Sequence, residues 1–365
     1  MKKIRRFPGL LFIAGIWLAL AVWCWVKPPD EVSVSERRKL AEVPEVSLEK
    51  VLNGTFAEDF EEYAEDQFPL RDGFRTLKSA AAYFFFRQKD NHGIYLEDGF
   101  AAKILYPLNR DQAESAAEKL SDLYTAYMKG NAGNIYLAVI PDKGYYLAER
   151  GGYLRMDYEE LFSLMRENMR FAEYIDLTGC LSAEDYYRTD THWRQEKITD
   201  TAEFLAESMG GELSGTYSSE IVKDDFRGVY FGQAALPMKG ETISLVHSRT
   251  IDACRACSLE TGRTQGVYDL KKLDGRDPYE VYLSGPSPLI RITNPLYNGE
   301  RRLVIFGDSF ALSMAPLLAE AYSEITLVDI RYIDPSLVGE YVNFQGADVL
   351  YLYSSLLLND SGALR

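Results

Sequence analysis

The chain contains few of the residues that usually bind metals. It has four cysteines and three histidines among 365 residues. A structural zinc site commonly takes four such ligands, which arrive in close pairs along the chain. Cys254 and Cys257 form one close pair, but neither a second cysteine pair nor a histidine pair accompanies them. We therefore expect no metal site and no other cofactor.

Positive charge is also scarce. The chain has 40 lysines and arginines against 55 aspartates and glutamates, a net charge of −15. Proteins that bind nucleic acid through its phosphates need a surplus of basic side chains, so nucleic acid is a poor candidate partner. An acidic surface that only keeps the protein soluble explains the same charge. The composition therefore argues against nucleic acid as a partner but does not indicate a function.

The first thirty residues depart from this pattern. A basic cluster at residues 2–6 precedes an uncharged, apolar run at residues 7–26, which Lys27 closes. About 20 apolar residues span a hydrocarbon core of roughly 30 Å in helical form. Because basic flanks stay in the cytoplasm, we expect a single-pass anchor with the rest of the chain outside the cell membrane. A cleaved signal peptide is the alternative, although bulky Trp23 and Trp25 stand where small residues usually precede a cleavage site.

An extracytoplasmic location permits disulfides, so Cys254 and Cys257 could close a small loop. The alternative is that they remain free thiols. A redox role is less favoured, because a redox pair usually opens a helix after a strand, whereas the surrounding sequence is typical of a loop.

Alternating strand-like and helix-like segments dominate the chain after residue 110. Continuous apolar runs of strand length occur at 134–140, 302–306, 325–330 and 349–353, with amphipathic stretches between them. This alternation predicts an α/β fold with a parallel sheet covered by helices on both faces. We predict four regions: a basic tip and anchor (1–29), a stalk (30–47), a helical and hairpin extension (48–110) and an α/β domain (111–365). The last includes a β-rich insertion at about 214–295. The aromatic run at 83–86 is expected to be core.

One strand ends in a motif that can carry chemistry. The run at 302–306 leads into Gly307, Asp308 and Ser309. Ligands of a parallel sheet bind beyond the carboxyl ends of its strands, where Ser309 is expected. A serine at the start of a helix can attack a carbonyl while its own N–H helps to hold the oxyanion. The alternative is a simple helix cap, a common role for serine or aspartate.

A nucleophilic serine needs a base, and His192 is the best candidate. His92 and His247 have no acid at a useful spacing, whereas Asp190 lies two residues before His192. In an extended segment residues i and i+2 point the same way, so the Asp190 carboxylate can accept from Nδ1 and leave Nε2 for the serine. We therefore predict a triad of Ser309, His192 and Asp190.

Polar residues after two other strands are expected to border the same crevice. Asp142 and Lys143 follow the strand at 134–140, and Arg331 and Tyr332 follow the strand at 325–330. Each pair is predicted either to contact substrate or to form part of a solvated loop.

The motifs resemble those of known families. Gly307-Asp308-Ser309 resembles the serine block of SGNH hydrolases, and an upstream Asp190-x-His192 with a downstream serine is similar to the alginate O-acetylation proteins. The Firmicutes DHHW family is closer still. Its features match Asp190-Thr191-His192-Trp193 together with three segments nearer the N-terminus: 35–40, 59–61 and 66–72.

The resemblance implies an SGNH-like (flavodoxin-like) fold with Ser309 as nucleophile, His192 as base and Asp190 as its orienting acid. It also implies acetyl transfer to, or removal from, an extracytoplasmic polysaccharide, with a membrane-bound O-acyltransferase as acyl donor. The chain departs from the family at Thr191, where the family name has its first histidine. It also lacks clear glycine and asparagine blocks, which leaves Asn294 as a candidate second oxyanion donor. The alternative is a catalytically inactive glycan-binding or assembly protein of the cell envelope.

Overall fold

The computed structural model describes residues 8–213 and 216–365. The basic cluster predicted to lie in the cytoplasm is outside the described residues. The chain divides into two compact units, which are Met1–His92 with Phe231–Pro237, and Gly93–Tyr230 with Met238–Arg365. The predicted boundaries differ from this division, because the hairpin that was assigned to the extension belongs to the second unit.

The first unit is mainly helical. Its elements are α1 (Pro8–Val26), β1 (Val32–Ser33), β2 (Arg38–Lys39), α2 (Leu48–Asn53), α3 (Thr55–Asp66) and α4 (Arg71–Ala80), which a π-helical turn at Ala81–Phe85 continues. Within α1, Gly9–Val26 is long and apolar enough to cross a membrane, and none of that stretch is buried.

Residues 30–47, the predicted stalk, belong to this unit. The β1–β2 hairpin lies within residues 30–47, and Arg38 binds the carboxylate of Asp66 at the end of α3 with both of its terminal nitrogens. The side chain of Leu40 is buried. Glu36 and Arg38 in this segment therefore form ion pairs within the first unit, and its role as a membrane-proximal stalk stays a prediction.

The second unit holds the sheet and its helices. Its strands are β3 (Ile94–Glu97), β4 (Phe100–Lys103), β5 (Ile135–Ile140), β6 (Glu173–Tyr174), β7 (Ser218–Phe226), β8 (Glu241–His247), β9 (Arg255–Ser258), β10 (Thr264–Gln265), β11 (Leu289–Thr293), β12 (Arg302–Gly307), β13 (Glu324–Val328) and β14 (Asp348–Ser354). Its helices are α5 (Arg110–Leu123), α6 (Lys143–Gly151), α7 (Tyr158–Asn168), α8 (Thr199–Ser208), α10 (Arg249–Ala253), α11 (Ala311–Leu318), α12 (Val338–Tyr341) and α13 (Ser355–Leu358). The helix α9 (Val229–Ala234) begins in this unit and ends in the first.

Eight strands form the main sheet, in the order β10-β9-β11-β13-β12-β14-β5-β6. The five strands from β13 to β6 are parallel, which confirms the predicted α/β fold. The last strand, β14, lies between β12 and β5. The carboxyl ends of β12, β14 and β5 therefore meet at one edge of the sheet.

The predicted insertion contributes more to the sheet than expected. Strands β9, β10 and β11 extend the parallel sheet with antiparallel pairs, and β7 pairs with β8 in a separate hairpin. All four cysteines are free, so Cys254 and Cys257 do not close a loop. Cys254 is buried after α10, whereas Cys257 lies on β9.

The sheet separates two apolar cores. Successive residues of β12 point to opposite faces, as a strand requires, so Leu303 and Ile305 enter one core while Val304 and Phe306 enter the other. Helices α8 and α11 cover the first face, and α5 and α7 cover the second. β12 is thus buried on both faces, and its side chains pack into both cores.

Replacement of a β12 core residue should destabilise the protein. Ile305 has no solvent-exposed surface, so Ile305→Ala should lower the free energy of unfolding by about 3 kcal/mol. Ile221 on β7 is 59% exposed, and Ile221→Ala should change it by less than about 0.5 kcal/mol. Chemical denaturation of the two variants measures both values, and equal losses would contradict a core centred on β12.

Candidate active site

Ser309 lies on a tight turn between β12 and α11. The turn depends on Asp308, whose Oδ1 accepts from the Phe310 N–H at 3.0 Å. Its Oδ2 accepts from the N–H and the hydroxyl of Ser354, at 2.9 and 2.6 Å. Asp308 thus ties the end of β12 to the end of β14 and fixes the direction in which Ser309 points.

Gly307 allows this turn to form. A Cβ atom at this position would lie 2.8 Å from the Leu352 carbonyl oxygen and 2.9 Å from the Ala311 Cβ. Neither contact is compatible with a side chain, so a residue other than glycine would push the start of α11 away from the sheet.

His192 and Asp190 reach Ser309 from a loop before α8. The His192 Nε2 atom is 2.7 Å from the Ser309 Oγ, and its Nδ1 is 2.6 Å from the Asp190 Oδ1. Asp190 is fully buried and His192 is 6% exposed. In the tautomer that carries its proton on Nδ1, His192 donates to Asp190 and leaves Nε2 free to accept from Ser309. The structure therefore brings the three predicted residues into one hydrogen-bonded line.

Backbone groups and a neighbouring carboxylate hold the loop that carries Asp190. The Asp190 Oδ2 accepts from the Val229 N–H at 2.8 Å, while Oδ1 also accepts from the His192 N–H at 3.1 Å. Thr189 donates its N–H at 2.7 Å and its hydroxyl to Glu241 on β8. A Cβ on Gly228 would lie 2.2 Å from that of Asp190, so this approach also requires glycine. These bonds satisfy the buried acid and leave it little freedom to move.

An aromatic side chain from the predicted insertion supports the imidazole. The Tyr279 ring stacks on His192 with ring centroids 3.9 Å apart and planes 9° from parallel. The hydroxyls of Tyr279 and Ser313 lie 2.8 Å apart, and the Trp193 Nε1–H donates to Ser313 over the same distance. Burial raises the pKa of Tyr279 well above its usual value, so its phenol stays neutral. Tyr279 thus fixes the plane of the imidazole without adding charge.

One backbone group at the site can bind an oxyanion. Among the residues that the structure describes, no hydrogen-bond acceptor is recorded for the Ser309 N–H. The next N–H, that of Phe310, is already bound to Asp308. Ser309 can therefore supply both the nucleophile and one donor to a developing negative charge.

Asn294, the predicted second donor, lies elsewhere. It follows β11, whose end pairs with the amino end of β13, so it is at the opposite edge of the sheet from Ser309. Its side-chain N–H donates to the Ala319 carbonyl at 2.8 Å, and its Oδ1 accepts from the Leu296 N–H. The prediction for Asn294 was wrong because the intervening β11 carries this residue back across the sheet.

Asp142 and Lys143 are buried, at 3% and 2% exposure, so the predicted contact with substrate or solvent was wrong. Asp142 accepts from the Tyr158 hydroxyl at 2.6 Å and from the Ser355 hydroxyl at 3.0 Å. Burial raises the pKa of Asp142 above its ordinary value.

Lys143 lies beneath the loop that carries Asp190. It donates to the Tyr187 carbonyl at 2.8 Å, and its ammonium lies 5.0 Å from the centre of the Tyr230 ring. Burial lowers the pKa of Lys143 to about 7, although the charges of Asp190, Glu241 and Asp142 act in the opposite direction.

Arg331 and Tyr332 follow β13 at the same edge as Ser309. The guanidinium of Arg331 binds both oxygens of Asp329, at 2.9 and 2.6 Å. Tyr332 is 47% exposed and packs under that guanidinium. Contact with substrate remains a prediction for this pair.

Sequence reasoning missed the residues that support the triad. Tyr279, Glu241 and Gly228 all lie in the segment that was treated as an insertion, and nothing in their local sequence pairs them with Asp190 or His192. Only the long-range packing of that segment against the sheet brings them to the site.

Solved structures with the same fold provide the comparison. A DHHW family protein from Eubacterium siraeum matches with a TM-score of 0.59 at 18% identity, over 74% of this chain and 92% of that one. Bacillus cereus PatB1 matches with a TM-score of 0.57 at 17% identity, over 73% of this chain and 96% of that one. PatB1 with a sulfonyl adduct gives a TM-score of 0.56 at 16% identity, over 73% and 97%.

This chain has their fold. No family model and no curated protein matches its sequence, and at these identities the likeness concerns the fold alone. The DHHW resemblance predicted from the motifs is confirmed to that extent. Each neighbour is covered over at least 92% of its length, so the shared architecture extends well beyond the sheet.

Changes at Tyr279 should separate the effect of its ring from that of its hydroxyl. Tyr279→Leu removes the stacked ring and should slow modification of Ser309 by a sulfonyl fluoride by about fivefold, since such contacts are worth roughly 1 kcal/mol. Tyr279→Phe keeps the ring and loses only the bond to Ser313, so a smaller effect is expected. The measurement is the rate of adduct formation by mass spectrometry. Equal rates in the wild type and Tyr279→Leu would show that the stack does not position His192.

The buried amine of Lys143 should make stability depend on pH. Its pKa is about 7 when folded against 10.5 ordinarily, so between these values the unfolded chain holds a proton that the folded protein lacks. The free energy of unfolding therefore rises with pH over this range. Below about pH 7 the folded protein also carries the proton, so the unfavourable free energy of burying the charge is present in full. Relative to Lys143→Met, the wild type should gain about 2 kcal/mol between about pH 7 and about pH 9. Denaturation of both proteins across that range measures the difference, and parallel curves would contradict a buried titrating lysine.

Proposed function

We propose that the protein is a cell-surface serine-dependent acyl-ester enzyme that transfers acetyl groups to, or removes them from, an extracytoplasmic polysaccharide. The observation that carries the proposal is the unbroken line from Ser309 through His192 to Asp190, with contacts of 2.7 and 2.6 Å. Hydrogen-bond contact between nucleophile and base, with the base oriented by a third group, is the arrangement that nucleophilic catalysis needs.

The first half of the reaction forms an acyl-enzyme. The Ser309 Oγ attacks the carbonyl carbon of an acyl ester while His192 Nε2 takes the hydroxyl proton. The oxyanion of the tetrahedral intermediate accepts from the Ser309 N–H, and the buried Asp190 carboxylate stabilises the imidazolium. Collapse breaks the bond to the leaving alcohol, and His192 returns the proton to that oxygen.

The second half depends on the acceptor. A sugar hydroxyl gives its proton to His192 Nε2 and attacks the acyl carbon. Collapse of the second tetrahedral intermediate then breaks the bond to the Ser309 Oγ, and His192 returns the proton to that oxygen, which completes the transfer. If water takes the place of the sugar, the same steps hydrolyse the ester. Tyr332, which is 47% exposed beside Arg331 at the serine edge of the sheet, is the residue that we assign to sugar contact.

Substrate class and location rest on the sequence. The acetyl group, the polysaccharide and a membrane-bound O-acyltransferase as donor come from the resemblance to the alginate O-acetylation proteins. Anchoring by α1 rests on its length, its apolar composition and the lack of buried surface along Gly9–Val26. An anchored enzyme remains close to a donor that lies in the same membrane.

Ser309→Ala should abolish both acetate release from an activated acetyl ester and covalent labelling by a sulfonyl fluoride. A sulfonyl fluoride is a suitable probe because the PatB1 neighbour carries a sulfonyl adduct. The loss should be at least about a thousandfold, since removal of a triad member has effects of this order or greater. The measurement combines ester turnover with mass mapping of the labelled residue.

Ser219→Ala is the matched control, because Ser219 is exposed near the start of β7, at the end of that strand away from the loop of Asp190. It should retain wild-type turnover and labelling. Unchanged turnover in Ser309→Ala would end the proposal. Glycan binding by a wild-type protein that neither turns over ester nor labels at Ser309 would favour an inactive envelope accessory protein instead.

A further inference from the structure

An apolar surface stands exposed on the first unit. Helix α4 and the π-helical turn after it form one continuous helical segment from Arg71 to Phe85. Six large apolar side chains on or next to this segment are between 43% and 78% exposed: Leu70, Phe74, Leu77, Phe84, Phe85 and Phe86. We call these six residues the apolar stripe. Phe84, Phe85 and Phe86 belong to the aromatic run predicted to be core, and for these three the prediction was wrong because no element in the described residues covers them.

The spacing of the stripe explains its exposure. Phe74, Leu77 and Phe84 recur at multiples of three to four residues and share one side of the helix. The other side is held within the unit, because Arg75 donates to the Gly232 carbonyl at 2.9 Å and pairs with Glu36 at 3.1 Å. Ser79 is buried on that side. The helix cannot turn its stripe inward without breaking these bonds.

The stripe is continuous with the apolar helix α1. The Phe74 ring contacts Phe68 with centroids 5.5 Å apart, and Phe68 contacts Trp17 of α1 at 6.4 Å. Trp17 itself is 60% exposed. The surface of α1 that would face lipid is therefore continuous with the stripe through the Phe68 ring. Because Trp17 lies nine residues before the end of α1, about 14 Å along the helix, Phe68 would reach into the outer leaflet just below the interface.

Basic side chains border the stripe. Lys78, Arg87 and Lys89 are exposed, and among the described residues no ion pair is recorded for any of them. Glu61 and Glu65 line the cavity beside Phe74 and Lys78, so basic side chains predominate only at the Phe86 end of the stripe, where Arg87 and Lys89 follow. An apolar helix face with aromatic residues and a basic rim is the pattern that binds the interface of a phospholipid bilayer, where acyl chains and phosphates are close together.

We infer that the apolar stripe lies in the outer interfacial layer of the phospholipid bilayer that α1 crosses. The inference rests on the anchoring proposed above and adds a second membrane contact to it. Apolar patches of this size are uncommon on surfaces that face only water. A bilayer accounts for both the basic rim and the continuity with α1, whereas contact with a second copy of this acidic chain would explain the basic rim but not the continuity with α1.

Tryptophan quenching by brominated phosphatidylcholine tests this on the full chain in vesicles that also contain phosphatidylglycerol. Trp17, Trp23 and Trp25 are changed to Phe, so that buried Trp193 remains as an internal reference. Phe85→Trp then reports on the stripe. Asp72→Trp is the matched control, because Asp72 is exposed on the opposite side of the same helix. A third protein that keeps Trp25 in α1, without either reporter, reports on the anchor itself.

The inference predicts that the Phe85→Trp reporter loses at least half as much emission as Trp25, and several times more than the Asp72→Trp control. Equal, weak quenching of both reporters while Trp25 is quenched would overturn it and leave the anchor intact. If such vesicles also yielded crosslinked dimers through the stripe, the surface would belong to a second copy. Weak quenching of Trp25 would remove the anchor, and the inference with it.

Discussion

The structure depends on a hydrogen bond between two segments that are far apart in the chain. His192 and Ser309 are 117 residues apart in the chain, yet their side chains meet at 2.7 Å. Each partner is fixed by its own backbone bonds. Asp308 locks the serine turn to the end of β14, and the Val229 N–H with the Glu241 carboxylate locks the loop of Asp190. Since a misplacement of about 1 Å can cost orders of magnitude in rate, these supports matter as much as the three residues themselves.

The parallel sheet brings the supports together. β12 is buried on both faces and ends where β14 and β5 also end, so residues from separate parts of the chain converge there. The segment treated as an insertion then closes the other side. From this segment, Tyr279 stacks on the face of the imidazole and Glu241 accepts hydrogen bonds from the loop that carries Asp190. Lys143 is buried beneath the same loop, and burial lowers its pKa to about 7. Burial thus restricts the motion of the site and also lowers the pKa of Lys143.

The sequence allowed the fold class, the serine turn and the Asp190-x-His192 pairing to be predicted, because each depends on local spacing. Apolar runs of strand length identify β5, β12 and β14, and two-residue alternation places an acid beside its histidine. Asn294, Asp142 and Lys143 were assigned wrongly because their surroundings are set by strands that are remote in sequence. The prediction for Phe84, Phe85 and Phe86 was wrong for a related reason: their aromatic composition predicts burial within the protein, but all three side chains are exposed. Long-range packing, which no local pattern encodes, decides all four cases.

The central claim is that Asp190 acts on Ser309 only through His192. The most direct test is the rate of Ser309 modification by a sulfonyl fluoride in His192→Ala, in Asp190→Asn and in the double variant. If the three side chains act in series, the double variant should react as slowly as His192→Ala alone, because Asp190 has no further effect once the imidazole is gone. If the two losses multiply instead, Asp190 and His192 act independently, and the hydrogen-bonded line is not what activates the serine.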